Sequence, residues 1–378
     1  MKTLKLSLLF IVFFKACISA QERKLSTFVN PGCALPASGC DDLLLVHIRS
    51  EGANDTLHHI WDVSRQPSLM LALTDRNCSL LVNWTSYASN HVAHSISFTS
   101  QPKYVISVVV DAIIEFNDTD DMGKLDVSNA EADYVRLMKT DQVSWKMVQP
   151  MTNDTNTVLL AVEGHPNNTD TNVTAPIQIS MGAFGGVERG SRLPHMLHSA
   201  NMSQMDITLD HLATRGERSR LGVSLVVVTS SPNQPLSYHD KAAIDDEYAP
   251  GVFKMVELLS AGAREQKFEP LDKAAEAAAA TSSSPIQYGG YLQWRPIAYT
   301  APTRDDSQAT RATHYGIAHA PTADAILPFK LFGNDSGALY QTTNVTFGQP
   351  EDGFYNKTRF ASWSVTHHLS IILTFYKL

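Results

Sequence analysis

Short segments rich in β-branched and aromatic residues recur along most of this sequence, and turn-forming residues separate them. This spacing is typical of strands in an antiparallel sandwich or barrel. Gly52-Ala53-Asn54-Asp55 is the expected hairpin turn between the first two segments. The sequence therefore predicts an all-β protein of packed antiparallel sheets, a β-sandwich in one domain or in two sandwich lobes. The expected strands are 43–49, 58–63, 68–73, 80–84, 104–116, 143–148, 158–163, 177–184, 205–209, 221–229, 291–300, 312–319, 326–332, 338–347 and 359–365.

One stretch departs from this strand pattern, because a group of carboxylates precedes apolar residues at helical spacing. The stretch contains three carboxylates, an aromatic residue and a proline: Asp245, Asp246, Glu247, Tyr248 and Pro250. Proline suits a first helical turn, and carboxylates there satisfy free amides and face the positive end of the helix dipole. We expect one notable helix near 250–263, capped by these carboxylates. The competing interpretation, a metal site or a general acid and base, is weaker because the alternating oxygen ligands of a calcium loop are missing.

Residues 261–285 have a different composition, with a run of alanines followed by threonine and serines. Such low-complexity sequence is typical of a flexible insertion. We therefore expect the predicted helix to fray into a mobile loop that contributes little to the core.

The first twenty residues have the pattern of a secretory signal peptide. Lys2 and Lys5 precede an apolar run, and small residues lead to an expected cleavage after Ala20. Residues 21–378 are then a luminal domain. Removing the leader's three lysines, which no acidic residue balances, lowers the formal net charge from −8 to −11. This negative charge argues against a nucleic-acid partner.

Sequons for N-linked glycosylation are far more frequent than chance predicts. They begin at 11 of the 17 asparagines, where chance would give roughly two or three. A heavily glycosylated surface is expected. The acceptors are Asn54, Asn77, Asn83, Asn117, Asn153, Asn167, Asn172, Asn201, Asn334, Asn344 and Asn356.

Three cysteines remain after the leader, which is an odd number for an oxidising compartment. Cys33 and Cys40 flank a short loop and are the expected disulfide. Cys78 is left free or available to join a second copy of the chain, so a homodimer stays open.

Motifs for cofactors are weak. The pairs His58-His59 and His367-His368 do not suggest chelation, because adjacent strand residues point to opposite faces. The glycine-rich residues 182–190 lack the Gly-Lys-Ser/Thr ending of a phosphate loop. We expect no cofactor and no metal.

The carboxylate stretch and several other pieces resemble the glycosylated lysosomal membrane protein family, and the match is to an invertebrate-like member. The specific pieces are 244–253, Leu258-Leu259 and Gln293-Trp294-Arg295-Pro296 with Tyr299. Weaker pieces in the same order are Val46-His47-Ile48-Arg49, 54–61, Val82-Asn83-Trp84, 344–348 and Ser362-Trp363-Ser364. Within this motif, Trp294 is expected in the core. A carboxylate among Asp245, Asp246 and Glu247 is the natural partner of Arg295.

The resemblance implies a lysosomal location and a non-enzymatic role. It implies an accessory subunit that stabilises a lysosomal major-facilitator dipeptide transporter and protects it from luminal proteolysis. The family carries one membrane helix after the Ser-Trp-Ser region. Membrane attachment is therefore expected from the resemblance, but this sequence has no apolar segment of about 20 residues after the leader. Two alternatives stay open: a luminal ligand- or carbohydrate-binding module, and a lysosomal hydrolase using Asp245, Asp246 or Glu247.

Overall fold

The computed structural model describes residues 22–35, 39–89, 92–125, 135–166, 176–190, 195–210, 216–245, 251–263, 287–294, 297–299, 309–335, 337–348, 350–351 and 364–376. Short antiparallel strands dominate these residues, which confirms the all-β prediction. The strands are β1 (Lys24–Val29), β2 (Leu45–Glu51), β3 (Asp55–Asp62), β4 (Ser68–Asp75), β5 (Leu80–Val82), β6 (Ile96–Phe98), β7 (Tyr104–Asn117), β8 (Val135–Lys139), β9 (Val143–Met147), β10 (Thr152–Asn153), β11 (Thr157–Pro166), β12 (Ile177–Phe184), β13 (Glu188–Arg189), β14 (Leu197–His198), β15 (Met202–Asp210), β16 (Ser219–Thr229), β17 (Ser237–Asp245), β18 (Gly251–Leu259), β19 (Gln287–Trp294), β20 (Ile297–Tyr299), β21 (Ala309–His314), β22 (Ala318–His319), β23 (Leu339–Phe347) and β24 (Ser364–Tyr376).

Two large sheets contain most of these strands. Sheet I has the order β1–β2–β3–β4–β7–β16–β23, with β8 beside β7 and with β21 and β22 beside β23. Sheet II has the order β9–β11–β12–β15–β24–β19–β18–β17, with β10 beside β11. Strand β21 also pairs with β20, which contacts β24, so the two sheets are continuous along that edge.

The inner faces of the two sheets share one hydrophobic core. Trp61 and Val108 of sheet I belong to the same buried cluster as Val158, Ile207 and Trp294 of sheet II. The central strand β7 is buried at every position except its last, which explains its continuous Val/Ile-rich sequence. Packing of two such faces is the sandwich that the alternating sequence pattern predicts.

Short helices cover part of the outer face of sheet I. Helix α1 (Trp84–Ala88) and helix α2 (Ile326–Phe332) place Trp84, Tyr87 and Leu327 in a second cluster with Leu45 and Met70 of the sheet. The small hairpin β5–β6 contributes Ile96 to this cluster. No helix in the described ranges is long and apolar enough to cross a bilayer.

The predicted helix near 250–263 is wrong, because residues 251–259 form strand β18. This strand pairs with β17 from Ser237↔Leu259 to Asp245↔Gly251, and with β19 on its other side. Val256 and Leu258 therefore face the core two residues apart, as in a strand. Residues 256–259 are all buried, so both faces of this part of the strand are covered. Apolar residues at helical spacing fit such a strand as well as a helix, and pairing with two neighbours decides between them.

A second correction concerns residues 326–332, which form helix α2 and not the expected strand. The amide of Phe329 bonds to the carbonyl of Ala325, and the helix ends at Gly333 with φ +62°. These seven residues, apolar except for Lys330, fit either structure, and the positive φ that glycine tolerates at Gly333 ends the helix. Strands β1, β8 and β17 are absent from the sequence-based prediction. It placed the last strand at 359–365, whereas β24 is Ser364–Tyr376.

Most of the low-complexity insertion lies outside the described residues. Its first three residues, 261–263, are helical and pack tightly against β19. A Cβ added to Gly289 would lie 2.2 Å from the amide nitrogen of Ala263. The mobility of residues 261–285 stays a prediction.

Candidate functional site

The family-like motif is only partly described by the structure. Asp245 is the last residue of strand β17, so it does not cap a helix at this position. Trp294 is fully buried in β19, and its ring meets that of His314 edge-on, with centroids 6.2 Å apart. The tryptophan is a core residue, as expected. The remaining motif residues, whose pairing stays a prediction, lie outside the described ranges: Asp246, Glu247, Tyr248, Pro250, Arg295 and Pro296.

Cysteines occupy two different environments. Cys33 and Cys40 form a disulfide with their Cα atoms 6.1 Å apart. Asn30 holds the same loop, because its amide nitrogen donates to the carbonyls of Cys40 (3.0 Å) and Leu43 (2.7 Å). Cys78 is a buried free thiol.

Seven sequon asparagines have a described side-chain exposure, and none of the seven is fully buried. The side chains of Asn54, Asn77, Asn83 and Asn334 are exposed, and those of Asn117, Asn201 and Asn344 are half-buried. Asn153 lies in β10. Asn167, Asn172 and Asn356 fall outside the described ranges.

A buried arginine joins the two sheets at the end where the mature chain is expected to begin. Arg23 Nη1 lies 2.7 Å from Asp55 Oδ1 and donates to the carbonyl of Ser50, both in sheet I. Its Nε donates to Asn201 Oδ1 at 3.0 Å, and its backbone amide to the carbonyl of Gly185, both on the sheet II side. The arginine side chain is fully buried, so this pairing is what makes its charge tolerable there.

The hairpin turn predicted at 52–55 forms part of this arginine site. The amide of Gly52 bonds to the carbonyl of Asp55. A Cβ on Gly52 would lie 2.6 Å from Asp55 Oδ1 and 2.8 Å from Arg23 Nη1, so glycine leaves room for the ion pair. Beside it, an open cleft of about 660 Å³ is lined by mixed charges, among them Glu22, Lys24, Glu51 and Glu188.

Two further buried networks of charged side chains lie in sheet I, one at a loop and one beneath the two helices. Arg220 on β16 is fully buried and binds Asp118, and its Nη2 lies 2.8 Å from Asp121 Oδ1.

On the outer face of sheet I, Tyr87 of α1 donates a hydrogen bond to Asp62 Oδ2 at 2.5 Å, and Lys330 Nζ of α2 lies 3.7 Å from the same oxygen. Burial lowers the pKa of Lys330, although Asp62 opposes this shift. One carboxylate therefore anchors both helices on the sheet.

Three histidines are buried around strands β2 and β3. His47 Nε2 lies 2.9 Å from His58 Nδ1, and His58 Nε2 lies 3.0 Å from the hydroxyl of Thr74. On the opposite face of β3, His59 Nδ1 lies 2.8 Å from Ser203 Oγ in sheet II. Burial lowers the pKa of His47 to about 4 and those of His58 and His59 to about 3. All three are therefore neutral in a mildly acidic lumen.

These groups hold the fold together and do not form an open reaction site. Asp62, Tyr87 and Lys330 are each at most 4% exposed, so solvent and substrate do not reach them. Within the described ranges, no cluster of three or more His, Cys, Asp or Glu side chains is placed to hold a metal ion. Sequence reasoning missed these networks because their members are far apart in the chain, as with Arg23 and Asn201, and no spacing pattern marks them.

Replacing Asp55 by Asn should destabilise the protein strongly, because it leaves the buried guanidinium of Arg23 without its counter-charge. We expect a loss of about 3–5 kcal/mol in the free energy of unfolding, measured by denaturant titration. The Asn54 sequon is kept in this variant. The matched control is Glu51→Gln, which breaks the half-exposed Arg49–Glu51 pair and should cost less than about 1 kcal/mol. Equal losses in the two variants would contradict this role of Arg23.

The buried histidines should make stability depend on pH. Their folded pKa values are lower than the unfolded value of 6.5, so the unfolded chain binds protons first as the pH falls. Stability is thus lost from pH 6.5 downward, to about pH 4 for His47 and about pH 3 for the other two. Each fully effective histidine contributes a slope of about 1.4 kcal/mol per pH unit.

His47→Phe should therefore flatten the pH dependence of unfolding between pH 6.5 and 4 by about one histidine's slope. Phenylalanine keeps the ring stack, in which His47 lies between Phe28 and His58. The exposed His319, changed to Gln, serves as the control and should leave the slope unchanged. Parallel pH profiles for wild type and His47→Phe would show that His47 does not titrate as its burial requires.

Comparison with known proteins identifies relatives along nearly the whole chain. The family model described as glycosylated lysosomal membrane protein matches residues 44–369. The zebrafish (Danio rerio) protein of that name is 26% identical over 370 residues, which cover 95% of this chain and 84% of the relative. The mouse (Mus musculus) protein is 27% identical over 339 residues, covering 85% and 74%. The human (Homo sapiens) protein is 26% identical over 363 residues, covering 92% and 79%.

The matched region runs from just before β2 into β24 and therefore includes both sheets of the sandwich. Because the family model covers most of the sequence and the relatives align along most of their own lengths, the chain belongs to the glycosylated lysosomal membrane protein family.

Proposed function

We propose that this chain is a non-enzymatic accessory subunit of a lysosomal major-facilitator dipeptide transporter, which it stabilises and protects from luminal proteolysis. Its family membership places it in the lysosome. The partner and the protective role come from what the sequence resemblance implies. The observation that best supports them is a closed sandwich in which the buried charges of several networks hold strands and helices in place.

A closed sandwich suits a protein that must survive among proteases. A protease binds an extended segment in its cleft, and a segment already paired in a sheet is not available for that. Among the described residues, strands β2, β3, β4, β7 and β16 each pair along their length with neighbours on both sides. Cleavage concentrates at exposed loop tips, and glycans on exposed sequons such as Asn54 and Asn334 would obstruct access to the loops that carry them.

The buried histidines do not favour an acidic lumen. The folded chain keeps the pKa values of His47, His58 and His59 at about 4 or below, so the unfolded chain binds protons first and these residues lower the stability of the fold in acid. The closed sandwich and the exposed sequons, and not the histidines, support the protective role.

Loss of this chain should shorten the lifetime of the transporter in cells. We expect transporter abundance to fall several-fold when the chain is deleted, and to recover when luminal proteases are inhibited, as measured by pulse-chase labelling. An unrelated lysosomal membrane protein serves as the control and should keep its half-life. A transporter that is equally long-lived without the chain would contradict the proposal.

The same experiment separates the accessory role from a hydrolase that uses the carboxylate stretch. Re-expression of a chain carrying Asp245→Asn, Asp246→Asn and Glu247→Gln should restore the transporter in proportion to the folded protein present. Restoration that fails although this variant folds and matures normally would favour the hydrolase instead.

A further inference from the structure

We propose that the sequon Asn201-Met202-Ser203 serves twice, as an N-glycan acceptor and as the polar connection between the two sheets. This role does not depend on the transporter partner. The first part of the proposal, the glycan on Asn201, extends the sequon prediction and is called the glycan half. The second part, the connection between the sheets, rests on contacts of the Asn201 and Ser203 side chains and is called the structural half.

Ser203 connects the sheets through the middle of the core. It lies on β15 of sheet II and is fully buried. Its hydroxyl oxygen lies 2.8 Å from His59 Nδ1 and accepts a hydrogen bond from Trp61 Nε1 at 3.3 Å. Both partners lie on β3 of sheet I and are fully buried. Removing the hydroxyl would leave two polar ring nitrogens without this partner in a region that water does not reach.

Asn201 makes the second connection, at the end of the same sheet. Its Oδ1 accepts the hydrogen bond from Arg23 Nε, and Arg23 is paired with Asp55 on β3. Two residues separated by one position are therefore linked to the same strand of sheet I: Ser203 directly at the middle of β3, and Asn201 through Arg23 at its first residue. Met202 between them is also buried, so the last two residues of the tripeptide pack into the sandwich.

Glycan attachment and the arginine contact use different atoms of the asparagine amide. An N-linked sugar replaces one hydrogen on Nδ2 and leaves Oδ1 free to accept a hydrogen bond. Asn201 is half-buried, so the residue is partly accessible to solvent. Attachment occurs on the unfolded chain, so the later burial of Ser203 does not prevent it. The sugar would then hold the amide with its oxygen directed toward Arg23.

Three variants expressed as the full chain in a glycosylating host separate the two roles. Asn201→Asp removes the glycan but keeps an acceptor oxygen for Arg23. Asn201→Ala removes both. Ser203→Ala removes the sequon and the hydroxyl that joins the sheets, while Asn201 keeps its oxygen. Because all three lack the glycan, the differences among them do not come from the sugar; they report on the contacts and, in Asn201→Asp, also on the negative charge placed beside Arg23.

We expect glycopeptide mapping to find a glycan on Asn201 in the wild type. We also expect Asn201→Ala and Ser203→Ala to melt at least about 2–4 °C below Asn201→Asp. A variant that fails to mature while Asn201→Asp matures normally counts as the same result. An unmodified Asn201 in the wild type would overturn the glycan half of the proposal. Equal melting temperatures for the three variants would overturn the structural half.

Discussion

The buried charge of Arg23 is the constraint on which this end of the sandwich depends. A guanidinium removed from water must be paired and hydrogen-bonded, and here its partners come from both sheets: Asp55 and Ser50 on one side, Asn201 on the other. The pair in turn requires glycine at position 52, where a side chain would collide with both ions. If the signal peptide is cleaved after Ala20 as the sequence predicts, Arg23 lies close to the start of the mature chain.

The sequence predicts the strands well because their signal is local. Residues 177–184 were predicted as the strand that the structure contains, and β7 and β16 were predicted within a few residues. Strands β1, β8 and β17 are missing from the prediction because their sequences are largely polar or mixed. Two further errors occur where a short run of mostly apolar residues fits two structures. Residues 251–259 are a strand because β17 and β19 pair with them on both sides. Residues 326–332 form a helix, which ends at Gly333 because glycine tolerates the positive φ found there. Neither cause can be read from the run itself.

The polar interior could not be predicted from the sequence for a different reason. Arg23 and Asn201 are 178 positions apart, and His59 and Ser203 are 144 apart. Only the fold brings these residues together, and an isolated arginine or serine within a strand pattern carries no signal of its partner. The sequons and the cysteine pair can be recognised in the sequence because each is a short motif of neighbouring residues. The proposed function rests on the family resemblance, to which the paired strands of the sandwich add a physical reason for resistance to proteases.

The central claim is that the two sheets form one closed unit, and native-state hydrogen exchange at pH 5 tests it most directly. Strand β3 of sheet I and strand β15 of sheet II are joined by Arg23 and by Ser203. If the account is right, the slowest amides of both strands exchange with the same opening free energy, that of global unfolding. Amides of β15 that exchange at least tenfold faster, while β3 stays protected, would show that the sheets separate independently and would contradict the account.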